Sequence, residues 1–113
     1  MQKFPSDWDL KTKIEFLQRK IILNSIAYYE YNTNFISDRF YDSICKQLVE
    51  LCQEYGDISD TQYGYTMMDF DGSTGFDLYF RLNEKDREYL INMVRRQVSG
   101  KGGGRGGGNR KKK

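Results

Sequence analysis

The chain has 113 residues, 38% hydrophobic and 30% charged, with a formal net charge of +2, which predicts a single domain near the lower end of what one hydrophobic core sustains. It contains no histidine, so the commonest general base and the commonest zinc ligand are both missing. No run approaches the roughly 20 apolar residues needed to cross a bilayer, and the opening MQKFPSDWD lacks the apolar core of a targeting signal; a cytoplasmic protein is expected.

The first predicted element is a long helix over 6–32. Ser6 is a good N-cap, and Asp7 and Asp9 put negative charge where the helix dipole favours it. Leu10, Ile14, Leu17, Ile21 and Tyr28 follow the helical period, with Leu23, Ile26 and Ala27 widening the apolar stripe. Asn32-Thr33-Asn34 ends it, because asparagine tolerates left-handed backbone angles.

A second helix is predicted over 38–55. Ser37 caps it, Asp38 is its first residue, and Tyr41, Ile44, Cys45, Leu48, Leu51, Cys52 and Tyr55 form its apolar stripe before Gly56 stops it. So short a turn makes the two helices an antiparallel hairpin. Cys45 and Cys52 lie seven positions apart, about 10 Å along a helix, which is too far for a disulfide; buried thiols are expected.

From 57 to 74 the sequence is irregular. Tyr63, Tyr65 and Met67 alternate as a short extended segment would, but Gly64 interrupts them, so the expectation is a long, partly packed loop of the kind that often carries function. Thr74 then caps a short helix through Phe76, Tyr79, Phe80 and Leu82, and Asn83, with Asp86 three residues on, caps a last helix over 84–98 through Tyr89, Leu90, Met93, Val94 and Val98. The fold class is therefore all-α: a long helical hairpin with a shorter C-terminal helical pair packed against it, as one domain over 1–98.

Residues 99–113 hold seven of the chain's glycines, six basic side chains and no acid. Ordering so much glycine is costly and nothing apolar repays it, so a disordered basic tail is expected. Residues 1–98 hold 12 basic and 16 acidic side chains, and the acids concentrate between 35 and 77, where nine stand against Arg39 and Lys46. The body is acidic and the tail basic.

Three groups of residues carry chemistry. Tyr28, Asp38, Tyr41 and Asp42 converge on the helix-helix corner, where tyrosine rings can stack on a flat heterocycle and carboxylates can accept from an amide or from ribose hydroxyls; the alternative is that both tyrosines pack between helices while Asp38 caps. In the tail, Lys101, Arg105, Arg110, Lys111, Lys112 and Lys113 can hold phosphates without sequence preference. On the acidic face, Asp57, Asp60, Asp69 and Asp71 can imitate a phosphate backbone toward a basic partner, or be a solvated surface. The run Asp69-Phe70-Asp71-Gly72-Ser73-Thr74 has the look of a phosphatase nucleophile loop, but neither a preceding strand nor a βαβ pattern accompanies it. As a calcium loop it puts Phe80 where the twelfth-position glutamate belongs, so a turn leading into a helix cap is expected.

The corner, read as Tyr28-Tyr29, then Ile36-Ser37-Asp38, Tyr41-Asp42, Ile44 and Leu48, resembles the small N-terminal helical domain (domain Ia) of bacterial NAD-dependent DNA ligases, over roughly 17–55. In that family the matching tyrosines and aspartates recognise the nicotinamide mononucleotide half of NAD, so the resemblance implies Tyr28, Asp38, Tyr41 and Asp42 as ligand residues, with NAD or nicotinamide mononucleotide as the ligand and no resident cofactor. The chain has no Lys-x-Asp-Gly adenylation segment, and catalysis of ligation is not expected. Followed by Phe-Asp-Gly-Ser-Thr-Gly-Phe-Asp-Leu at 70–78, the free-standing corner also resembles small bacteriophage proteins, which would act in a host cytoplasm.

Three functional classes follow. The first is a non-catalytic, phage-type binding module in nucleic-acid transactions, using the corner for a nucleotide or partner and the tail for DNA or RNA. The second is an inhibitor of a host nucleic-acid enzyme or defence protein, using the acidic face. The third is a sensor or sink for NAD or nicotinamide mononucleotide.

Overall fold

A computed structural model of the chain describes residues 2–72 and 78–102, the last three by backbone alone. Among the described residues there are four α-helices, α1 (Leu10–Tyr31), α2 (Asp38–Tyr55), α3 (Leu78–Arg81) and α4 (Glu84–Gly102), with 3-10 turns at Ile58–Asp60 and Gly64–Thr66 in the connection from α2 to α3. Among the described residues there is no strand, and no helix is long and apolar enough to cross a membrane.

The middle helix of the packing is α1, touched by α2, α3 and α4. It buries Ile14, Leu17, Ile21, Ile22, Ile26 and Ala27, together with the polar Gln18, Asn24 and Ser25, more than a single stripe, as a helix covered on several sides must. The hairpin with α2 is antiparallel, as expected. Asp60 ties its open end together, receiving the hydroxyl of Tyr55 at the end of α2 at 2.9 Å and lying 3.9 Å from Lys11 in the first turn of α1.

The start of α1 differs from expectation. Its N-cap is Asp9, whose carboxylate accepts from the Thr12 N–H at 2.8 Å; hydrogen bonding from the Thr12 side chain, and then from that N–H, holds the Asp9 carboxyl below its ordinary 3.8. Ser6 instead lies in a turn in which the Trp8 N–H donates to the Pro5 carbonyl at 3.2 Å. That turn lets Trp8 pack on Phe4 and Phe16, with ring centroids 5.7 and 5.6 Å away. Asp9 and Ser6 are both competent caps, and the aromatic cluster selects between them.

The helix stops follow the sequence chemistry. Asn32 adopts φ 50, and the N–H groups of Asn32 and Thr33 take the Tyr28 and Ala27 carbonyls at 3.1 Å. Gly56, at φ 98, closes α2. In α4, the Asn83 carboxamide accepts from the Asp86 N–H at 2.7 Å, the cap expected there.

Three further expectations are corrected, and a fourth lies outside the described residues. The segment containing Tyr63, Tyr65 and Met67 is not extended: Gly64–Thr66 is a 3-10 turn that buries Tyr63 and Met67 and leaves Tyr65 exposed. The described part of α3 starts at Leu78, and the Thr74 cap lies outside the described residues. Helix α4 runs to Gly102, so residues 99–102 are helical rather than part of the tail; residues 103–113 lie outside the described residues. Both cysteines are free as expected, but only Cys45 is buried, Cys52 being half-buried.

Candidate functional site

The α1–α2 corner is fixed by a buried side chain. Asn24, inside α1, accepts the Phe35 N–H on its carboxamide oxygen at 3.0 Å, which sets the path of the turn over 32–37. Ser37 then caps α2, accepting the Phe40 N–H on its hydroxyl at 3.1 Å. Behind the cap, Asp38, Tyr41 and Asp42 stand at i, i+3 and i+4, the spacing that places side chains on one face of a helix. Tyr28, in the last turn of α1, faces them across the turn.

All four residues named from the sequence line one open cleft of about 410 Å³, and Asn34 completes its wall. Tyr28 and Tyr41 are not equivalent within it. Tyr41 is 4% exposed and belongs to the core, whereas Tyr28 is 45% exposed and does not pack between the helices as its place in the apolar period predicts. Beneath Tyr41, burial pushes the Cys45 thiol up to about 12, the Asp42 charge adds to the rise, and hydrogen bonding with Tyr41 opposes it. The cleft therefore has one fixed ring in its floor, one accessible ring at its edge, two exposed carboxylates and an amide. Stacking surface and hydrogen-bond acceptors dominate, which suits a flat group rich in donors or carrying positive charge. Asp42 also borders a second, shallower depression of about 520 Å³ whose lining includes the cations Arg39 and Lys46.

Beside the cleft lies an aromatic patch that sequence reasoning missed. Tyr29 contacts Tyr28 edge-on at 5.3 Å, stacks on Tyr79 at 6.3 Å and meets Phe80 at 5.0 Å. Phe80 is 60% exposed. The Tyr79 hydroxyl donates to Glu30, and burial together with that carboxylate pushes the phenol up to about 12. The paired aromatic Tyr28-Tyr29 was the one signal for this patch; Asn34 gave none, since asparagine in a turn reads as turn chemistry.

The other two predicted groups fare differently. On the acidic face, Asp57 accepts the Ser59 N–H at 2.9 Å, Asp60 takes Tyr55 and Lys11, and Asp69 pairs with Arg81 at 2.5 Å. Asp71 is exposed and close enough to raise the Asp69 carboxyl against the stronger lowering by Arg81. No group of three or more histidine, cysteine, aspartate or glutamate side chains among the described residues is placed to hold a metal. Of the tail cations, Lys101 lies on the last turn of α4 by its backbone, while Arg105, Arg110, Lys111, Lys112 and Lys113 fall outside the described residues.

Comparison of the chain with protein-family models, with curated proteins and with solved structures gave no match.

Proposed function

We propose that this chain is a non-catalytic binding module, of the phage type, that holds a nicotinamide mononucleotide-like group in the corner cleft and acts in nucleic-acid transactions. The observation that carries the reading is the convergence of Tyr28, Asp38, Tyr41 and Asp42 on a single cleft. These are the residues on which the likeness to ligase domain Ia rests. Tyr28 covers one face of the ring, the Tyr41 edge limits its depth, and Asp38 and Asp42 accept from an amide or ribose hydroxyls and balance a pyridinium charge. Arg39 and Lys46, on the depression that shares Asp42, supply the cations a phosphate needs. The absence of histidine and of a Lys-x-Asp-Gly segment supports binding rather than turnover. The acidic-face reading has less behind it, because Asp57, Asp60 and Asp69 are engaged within the fold by Ser59, Tyr55 and Arg81.

Calorimetric titration at low salt tests this. Saturable heat with nicotinamide mononucleotide, at weaker affinity in Asp38→Asn and in Asp42→Asn, is expected. No heat with nicotinamide mononucleotide or NAD removes the small-molecule reading.

A further inference from the structure

Helix α4 presents a pattern that the cleft does not use. Leu90 and Val94 face the core, while Tyr89, Asn92, Arg95, Arg96 and Ser99 are exposed. At 3.6 residues per turn these five fall within one third of the helix circumference, opposite the buried pair. The acids of α4, Glu84, Asp86 and Glu88, are confined to its first two turns. From Tyr89 to Lys113 the chain has eight basic residues and no acid.

The cations on this face are uncommitted. Among the described residues the ion pairs employ Lys11 and Arg81, and neither Arg95 nor Arg96 is in one. Arg95 donates to the Asn92 carboxamide, one turn back, which orients its guanidinium without neutralising it. Tyr89 is 56% exposed, and unlike Tyr29 or Phe80 it makes no ring contact among the described residues.

We infer that this face of α4 binds single-stranded nucleic acid: Tyr89 stacks on a base, and Arg95 and Arg96 take successive phosphates. The inference rests on the nucleic-acid half of the function proposed above, to which it adds a folded surface on the helix that precedes the tail cations in sequence. Charge complementarity selects a polyanion, planar guanidinium groups suit phosphate oxygens, and an exposed ring can stack only on a base whose face is free, which a duplex does not offer.

Fluorescence anisotropy with labelled oligothymidylate, oligouridylate and a duplex, over a salt series and with the full chain, tests it. The expected result is binding of a single strand in preference to duplex. The Arg95→Gln/Arg96→Gln double variant should flatten the slope of log affinity against log salt by about 1.4, because each phosphate that is no longer neutralised takes roughly 0.7 off that slope. Tyr89→Ala should weaken binding about tenfold with the slope unchanged, and Tyr89→Phe should restore it. If the α4 variants titrate like the parent while Lys111→Gln/Lys112→Gln/Lys113→Gln abolishes binding, the inference is overturned and only the tail reading survives. Equal affinity for duplex with no effect of Tyr89→Ala also overturns it, and a parent chain that binds none of the three probes overturns both.

Discussion

The carboxamide of Gln18 donates to the Thr61 hydroxyl at 2.8 Å, across 43 positions of sequence, with both residues buried. Its oxygen accepts the Tyr63 N–H at 3.2 Å, and Thr61 in turn donates to the Ile58 carbonyl at 2.6 Å. One side chain of α1 thus organises the connection between α2 and α3. Gln18→Leu keeps the volume but leaves the Tyr63 N–H and the Thr61 hydroxyl without Gln18. We expect a loss of about 3 kcal/mol in urea denaturation, the cost of stranding buried polar groups; a loss of only a few tenths would show that the connection relaxes around the change.

Gly64 gives a second test of that connection. A Cβ there would lie 1.9 Å from the Ile58 carbonyl oxygen and 2.6 Å from the Thr61 hydroxyl, and the nearer obstacle is backbone. Gly64→Ala is expected to cost about 2 kcal/mol or more, measured by thermal or urea unfolding.

At the cleft, stability and binding should separate. Tyr28 is exposed, so Tyr28→Ala should leave stability within about 0.5 kcal/mol while weakening binding of nicotinamide mononucleotide. Asp42→Asn should cost roughly tenfold in affinity, as the loss of a charge-assisted hydrogen bond does. Tyr41→Ala removes a core ring and should cost about 3 kcal/mol in stability, so loss of binding in that variant alone would carry no weight. Paired calorimetry and urea denaturation distinguish these outcomes.

Alkaline pH should unfold the protein. Burial pushes the Cys45 thiol from 9.0 to about 12, and burial with the Glu30 carboxylate pushes the Tyr79 phenol from 10.0 to about 12. Both groups hold their protons more tightly when folded, so their contribution is complete below 9.0 and 10.0 respectively and is lost as pH rises toward about 12. The melting temperature should fall from about pH 9 upward, and Tyr79→Phe should soften the fall. A flat profile up to about pH 11 would contradict the placement of these groups.

Local chemistry made part of the fold legible. Asn32 and Gly56 end helices because left-handed or glycine-only backbone is written in the residue itself, and Ser37 and Asn83 cap because their side chains reach the next turn. The connection over 57–72 was not legible, since its local turns, such as the one the Thr61 hydroxyl closes on the Ile58 carbonyl, are held in place by Gln18 from α1, a contact remote in sequence. The start of α1 depended on Trp8 packing against Phe4 and Phe16, a tertiary contact. At the candidate site, residue type and spacing pointed to Tyr28, Asp38, Tyr41 and Asp42, which line one cleft. Periodicity placed both tyrosines in the core, whereas the fold buries one and exposes the other, and that difference makes a cleft.

Whether the corner holds a nicotinamide-type ligand is decided by backbone amide NMR of the labelled chain at low salt, titrated with nicotinamide mononucleotide. Saturable shifts confined to residues 28–42 and to the adjoining turns of α2 are expected. Unchanged amides across that segment at saturating ligand, with the spectrum of a folded protein, would contradict it.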